Sequence, residues 1–337
     1  MKTTDRPVRL AILGAGHIGA RHAACAQQIA EGEVVAVWSR TAASAAALAE
    51  RVGARTCATL QEVADAPDVD AAIVCTPSAF HAEAAVAMAR GGKHVICEKP
   101  LARTLAQAEE IIEATADAGV QLLVAHVVRF FPAFRRLYDQ IRGGAVGQPA
   151  VIRMARETAK PPTGWRTDVA LSGGALLEMG VHDFDWLLWA CGNAQRVYCR
   201  AISRGGYSAP DHALTTIRLW SGAIAHIESS MVASDGFRTH GEIAGDAGLL
   251  AYDSDQDTAL RVNRSATEAE RPSKGAPALY IPTTFTVESP FVTQLRHFCR
   301  CIRGQEEPLI TPQEALGALR VGLAALESAT SDRAVSL

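Results

Sequence analysis

The run Val8–Leu13 breaks directly into Gly14-Ala15-Gly16-His17-Ile18-Gly19, and an alanine-rich helical stretch follows from Ala20. Few local sequences restrict a fold as much. A strand that ends in G-x-G-x-x-G and passes into a helix predicts a βαβ unit in which each glycine has a task. The first makes the tight turn, the second admits a pyrophosphate to the backbone, and the third lets helix and strand pack closely. The helix N-terminus then faces the anion, so Gly14, Gly16, His17, Ile18 and Gly19 are candidate cofactor-binding residues. About 20 residues further on, where an acid would bind the ribose 2′-hydroxyl of NAD, stand Ser39 and Arg40. A hydroxyl and a guanidinium suit a 2′-phosphate, which points to NADP(H) as the preferred cofactor, with NAD(H) as the alternative.

The same architecture continues. Apolar runs over residues 34–38, 71–75, 94–97 and 121–125 alternate with helical stretches, the pattern of a parallel sheet covered on both faces. Thr59 with Glu62, and Thr104 with Gln107, have capping-box spacing at helix starts. From about Ala150 the pattern changes to alternating strands over 197–202, 212–220 and 223–231, with turns such as Ser221-Gly222, which predicts an antiparallel sheet. The glycine-rich segment 143–147 is the expected joint, and the polar stretch from Asp253 to Ala276 reads as an edge hairpin or mobile loop. Thr311-Pro312-Gln313-Glu314 opens a last helix with a Leu316, Leu319, Leu323, Leu326 stripe. A length of 337 residues suits two domains of this kind.

Charge and cysteine usage narrow the partners. Lys plus Arg is 33 against Asp plus Glu at 36, so no excess positive field is offered to nucleic acid. The N-terminus reaches charge and Pro7 before any apolar stretch, unlike a signal peptide, and no window is long and apolar enough for a membrane helix. A soluble, cytoplasmic protein is expected. The eight cysteines are scattered without a CxxC pair and read as reduced thiols, and Cys299-x-Cys301, flanked by Phe298 and Ile302, reads as packing. His212, His226, His240 and His297 lack ligand spacing, so no metal site is expected.

Lysine occurs only at positions 2, 93, 99, 160 and 274, so arginine carries most of the positive charge. One of the five, Lys99 in Glu98-Lys99-Pro100, follows the run 94–97 at the carboxyl edge of a parallel sheet, where ligands bind. Pro100 restricts Lys99 to extended geometry, and a Lys-Pro bond can be cis.

Here the chain resembles the glucose-fructose oxidoreductase, inositol dehydrogenase and rhizopine-catabolism (Gfo/Idh/MocA) oxidoreductases over nearly its whole length. The hallmarks appear in order: residues 14–19, Thr76-Pro77-Ser78-Ala79-Phe80-His81, Glu98-Lys99-Pro100, and the segment 172–185 containing Glu178-Met179-Gly180-Val181-His182-Asp183-Phe184-Asp185. The resemblance implies an α/β protein. A Rossmann domain over 1–125 is followed, over 126–337, by an α/β domain with an open, mainly antiparallel sheet that often mediates oligomerisation. It implies Lys99 and His182 as catalytic residues, Lys99 positioning substrate and cofactor and assisting proton transfer, His182 as general base. Thr76, Pro77, His81 and Glu98 are implied along the cofactor. The family commonly has Asp four residues before the histidine; here Glu178 is one methylene longer, which leaves its reach and the substrate open.

The residue chemistry supports these roles separately. Glu178 and His182 are i and i+4 in a helical stretch and can share a face. A histidine with an unperturbed pKa of about 6.5 can accept a hydroxyl proton at physiological pH, and a lysine ammonium favours alkoxide character as hydride leaves. Arg129, in His126-Val127-Val128-Arg129, is a candidate for substrate hydroxyls or for pairing with an acid. Trp165-Arg166, in a Gly- and Pro-containing loop, suits a lid over the site or simple loop packing. Together these features predict an NADP(H)-dependent oxidoreductase of a small molecule of the sugar, inositol or polyol class, assembled as a homo-oligomer, dimer or tetramer. Two alternatives stay open: a non-catalytic NAD(P)-binding sensor, and a lyase or glycosidase using transient oxidation by tightly bound cofactor.

Overall fold

The apolar runs of the first third become a six-stranded sheet: β1 (Val8–Leu13), β2 (Gly32–Trp38), β3 (Arg55–Thr56), β4 (Ala71–Val74), β5 (His94–Glu98) and β6 (Leu122–Ala125). The computed structural model describes residues 6–233, 236–255, 260–264, 279–281 and 288–337. The strands run parallel in the order β3-β2-β1-β4-β5-β6. Every residue of β4 and β6 is buried, as a strand covered by helices on both faces requires. Chain order reverses between β1 and β4, so the carboxyl ends of these two strands flank the crevice where such sheets take ligands. Thr59 and Thr104 cap their helices by accepting from the Glu62 and Gln107 amides at 3.1 and 3.2 Å. Thr311 and Glu314 complete a reciprocal box.

The compact unit built on this sheet comprises Met1–Phe130, Ala170–Ser172 and Glu288–Leu319. This unit thus takes in residues 126–130, 170–172 and 288–319 beside the expected 1–125. Helix Pro290–Ile302 carries Val292, Leu295, Phe298 and Cys299 into the same core as Leu10, Ile12, Ile96 and Leu123. Gly32 leaves room for that helix: a Cβ there would lie 2.8 Å from Cys299 Sγ and 3.1 Å from Leu10 Cδ1. Burial pushes the Cys299 and Cys301 thiols up to about 12, so neither offers a thiolate at neutral pH, and their role is packing.

The second unit comprises Phe131–Val169, Gly173–Val287 and Arg320–Leu337. Its strands are β7 (Pro149–Thr158), β8 (Ala194–Ile202), β9 (His212–Leu219), β10 (Ile224–Ser230), β11 (Phe237–Gly245), β12 (Gly248–Asp253), β13 (Leu260–Arg264), β14 (Leu279–Ile281) and β15 (Val335–Ser336). They form one sheet in the order β14-β13-β12-β11-β7-β10-β9-β8-β15, antiparallel throughout except for the β7 and β10 pair. Alternation does the sorting: Ala213, Thr215, Ile217 and Leu219 of β9 are buried, whereas Leu214 and Arg218 are exposed. Helix Val181–Cys191 is fixed in the same unit by fully buried Phe184, Trp186 and Leu187, and Trp186 Nε1 donates to the Phe134 carbonyl at 3.1 Å. Of the stretch from Asp253 to Ala276 expected as an edge hairpin or loop, β13 pairs with β12 and with the edge strand β14, which follows that stretch. Residues 256–259 and 265–276 lie outside the described residues, as do residues 1–5. Among the described residues no helix is long and apolar enough to cross a membrane.

At the start of β1, Asp70 accepts the Arg9 backbone amide at 2.9 Å and pairs with the Arg6 and Arg9 guanidiniums at 2.6 and 2.9 Å. Partial burial opposes ionisation, but the two arginines hold the carboxyl far below the usual carboxylate range. A depressed folded-state pKa stabilises above the unfolded value of about 3.9, and that stability is lost as pH falls through the folded value. Asp70→Asn should therefore cost about 1 kcal/mol at neutral pH, a gap that narrows below about pH 4. Urea unfolding of both proteins across pH checks this; a gap independent of pH would refute the electrostatic account.

Candidate active site

In the first unit, β1 ends at Leu13 and the backbone turns at Gly14, whose amide donates to the Trp38 carbonyl at 2.8 Å. Gly14 has φ +108°, and a Cβ there would lie 2.7 Å from the Cys75 carbonyl oxygen. Gly19 is tighter still, since its Cβ would lie 2.0 Å from the Gly14 carbonyl oxygen. Gly16 differs, because a Cβ there meets nothing within 4 Å and the space beside the turn is open. Helix His17–Ala26 begins at this point without a side-chain cap, leaving first-turn N–H groups for an anion. Nearby in sequence order, Thr76 follows β4, and its buried Oγ1 has no hydrogen-bond partner in the chain. Open room at Gly16, uncapped amides and an orphaned hydroxyl all fit a dinucleotide.

At the end of β2, Ser39 is half-buried and Arg40 exposed, with the Arg40 guanidinium 4.3 Å above the Phe80 ring. Phe80 closes the short turn Ser78–Phe80, so Arg40 is steadied by an aromatic face while its N–H groups stay accessible.

β5 delivers Glu98, Lys99 and Pro100, and the Lys99–Pro100 bond is cis. Glu98 is buried, with Oε1 2.8 Å from His22 Nε2 and Oε2 accepting the Lys99 backbone N–H at 3.1 Å. Burial alone would raise the Glu98 carboxyl, but the His22 contact and the neighbouring Lys99 and His81 charges hold it below its usual range. Both carboxylate oxygens are thus hydrogen-bonded within the protein. His81 is held in a similar way. It is 1% exposed, with Nδ1 2.9 Å from the Pro100 carbonyl and Nε2 2.9 Å from the Thr76 carbonyl, and burial pushes its pKa down. A neutral ring donates to only one of these carbonyls at a time. Arg129 takes the acid-pairing alternative. Its guanidinium, 1% exposed, donates to Glu314 at 3.1 Å and to the Leu309 carbonyl at 3.2 Å.

In the second unit, Gly173 and Gly174 have φ +76° and +63°, and a Cβ on Gly174 would strike the Pro210 carbonyl at 2.5 Å. A π-helical turn, Leu176–Gly180, follows and passes into helix Val181–Cys191. The wider turn ends between Glu178 and His182. Glu178 Oε2 accepts from Arg166 Nε at 3.0 Å with the carboxylate 10% exposed, and the Arg166 guanidinium lies 4.9 Å above the Trp165 ring. His182 is half-buried in the first turn of the helix. That turn is anchored on both sides. Asp183 takes a bidentate, nearly buried pair from Arg156 of β7 at 2.8 and 2.7 Å, and a Cβ on Gly180 would lie 2.8 Å from Ser229 Oγ of β10.

Three contributors escaped the sequence reading: His22, Arg156 and Asp183. His22 carries a signal, because it lies three residues after the packing glycine Gly19 and on the same buried face. Arg156 carries none, since a charged residue on an alternating strand is normally assigned to solvent.

Comparison with known proteins agrees with this arrangement. Residues 8–126 match the model described as the GFO_IDH_MocA oxidoreductase family, NAD-binding Rossmann fold, and residues 134–251 match a GFO/IDH/MocA C-terminal domain. The chain is 30% identical to 1,5-anhydro-D-fructose reductase of Ensifer adhaerens and 28% identical to myo-inositol 2-dehydrogenase of Thermotoga maritima, each over 98% of both chains. A solved probable dehydrogenase from Thermotoga maritima superposes with a TM-score of 0.81 at 28% identity, covering 97% of this chain and 98% of that one.

The glycines separate stability from binding. Gly16→Ala should leave the melting temperature of the ligand-free protein unchanged while weakening dinucleotide binding at least about tenfold, because the methyl enters open ligand space. Gly19→Ala should also destabilise the ligand-free protein by about 1–3 kcal/mol, because it strikes backbone. Thermal melts with and without NADPH check both; equal melts for the two variants would refute the distinction.

Proposed function

The chain belongs to the Gfo/Idh/MocA oxidoreductase family and is an NAD(P)-dependent oxidoreductase acting on CH–OH groups; from that premise we propose a dehydrogenase or reductase of an inositol, sugar or related cyclic polyol, with NADP(H) preferred. The observation that carries this is the bracing of Lys99. It stands just past the carboxyl end of β5, with its amide held by Glu98 and the following carbonyl held by His81. The names of the two relatives supply the substrate class, an inositol in one and an anhydro sugar in the other.

When bound, a nicotinamide dinucleotide supplies the hydride acceptor or donor. The first-turn amides after Gly16 hold its phosphates, and Thr76 Oγ1 offers a hydrogen bond beside them. In the oxidising direction His182 takes the proton of the substrate hydroxyl, and in the reducing direction it returns it. The Lys99 ammonium orients and polarises the same oxygen. Glu178, partnered by Arg166, tunes His182 or holds a neighbouring hydroxyl, and the loop carrying Trp165 and Arg166 is proposed as a substrate contact. NADP(H) preference rests on Ser39 and on Arg40, whose exposed guanidinium is poised over Phe80 to receive a 2′-phosphate. A homo-oligomer is part of the same proposal. Its contact surface is the outer face of the nine-stranded sheet, where Tyr198, Ile202, Leu214 and Ile224 are 37%, 51%, 54% and 43% exposed.

Inositols, aldoses, ketoses and anhydro sugars run with NADP or NADPH should give a net change at the reduced-nicotinamide absorbance band with at least one compound. Lys99→Met should lower that turnover at least about 100-fold while cofactor binding persists. Bond cleavage without net cofactor change would favour the lyase or glycosidase cycle. In a fluorescence titration NADPH should bind about tenfold tighter than NADH, and Arg40→Ala should erase the difference; tighter NADH would refute the NADP reading. Leu214→Arg should shift the mass measured by light scattering toward the monomer, and a wild-type monomer would remove the oligomer from the proposal.

A further inference from the structure

Helix His17–Ala26 presents Gly19, His22, Ala23, Cys25 and Ala26 as its buried residues. His22 is the one side chain among them with a strong hydrogen-bonding group, and it has no exposed surface. Burying an imidazole beside a carboxylate costs desolvation on both sides, and an apolar pair of similar volume would fill the same space without that cost. The core therefore gains nothing from His22 that leucine could not supply.

What the imidazole does is select an oxygen. With Glu98 Oε1 taken by His22 Nε2 at 2.8 Å, the carboxylate is pinned so that Oε2 meets the Lys99 backbone amide at 3.1 Å. On the other side of Lys99, the Pro100 carbonyl is held 2.9 Å from His81 Nδ1. The backbone of one residue is thus fixed from both ends by buried groups, and the starting direction of its side chain is fixed with it. The helix carrying His22 is also the helix whose first turn follows the phosphate-binding glycines, so one rigid element serves both cofactor turn and lysine.

We propose that His22 is a positioning residue of the active site: acting through Glu98, it sets the direction and the charged surroundings of Lys99. This rests on the assignment of Lys99 to catalysis made above, but its test does not require a substrate. The full-length, ligand-free protein is treated with limiting trinitrobenzenesulfonate, and labelling at Lys99 is measured by mass spectrometry relative to exposed Lys160. In His22→Leu the carboxylate loses its anchor and the Lys99 ammonium its fixed counter-charge, so relative labelling at Lys99 should rise about tenfold. In His22→Gln an amide N–H replaces the imidazole donor at similar reach, and labelling should stay within about twofold of wild type. Unchanged labelling in His22→Leu would overturn the proposal, as would an equal rise in both variants.

Should His22→Leu fail to fold, Glu98→Gln keeps the shape and removes the charge. A rise at Lys99 then supports the proposal and no rise overturns it. On any compound that the wild type turns over, His22→Leu should lower kcat about tenfold with the dinucleotide KM within about twofold, and His22→Gln should restore kcat. The expected labelling pattern in a protein that turns over no compound would sink the functional reading while leaving the positioning role supported.

Discussion

The cofactor-binding unit depends on how closely one helix is allowed to approach the strand it follows. A side chain on Gly19 would sit 2.0 Å from the Gly14 carbonyl, so only a hydrogen atom permits helix His17–Ala26 to lie where it does. That approach places His22 against Glu98, and Glu98 in turn takes the Lys99 amide. Geometry set by a missing methyl group is passed along a chain of hydrogen bonds to the lysine at the sheet's edge. The carboxylate at the centre is charged in spite of its burial, because histidines and lysine surround it.

The second unit solves a similar problem with different parts. A helix must begin at a defined place so that its first turn presents His182, and here the anchor is ionic. Arg156 grips Asp183 with two short hydrogen bonds in surroundings almost free of water, so losing either partner would strand a buried charge. The π-helical turn before it, Leu176–Gly180, changes the angular spacing of Glu178 relative to the helix that follows. Glu178 then meets Arg166, a partner from a loop, so the extra methylene that sets this chain apart from the usual aspartate is accompanied by a guanidinium at 3.0 Å.

How much of this was legible in the sequence follows from the range of the forces involved. Periodicity and glycine placement are local, and they gave β1, the phosphate turn, the helix caps and the antiparallel character of the second sheet. The cis bond at Lys99–Pro100 was legible as an option because the residue pair permits it. Partnerships across sequence distance were not legible. Nothing near Arg129 indicates Glu314, nothing near His22 indicates Glu98, and His81 looks like a surface residue until both of its ring nitrogens are seen facing carbonyl oxygens. The place of helix Pro290–Ile302 in the first unit's core was hidden for the same reason, since its ordinary amphipathic pattern says nothing of which core it joins.

That returning helix bears on how the protein is made. Phe298, Leu295 and Val292 belong to the core built on β1, β4 and β5, yet the ribosome delivers them only after strands β7 to β14 of the second sheet. The first unit therefore spends most of its synthesis with an apolar face of its sheet and helices uncovered, including the surface beside Gly32 that Cys299 later fills. Folding from the N-terminus can assemble the strands, but it cannot close the core until helix Pro290–Ile302 has been made.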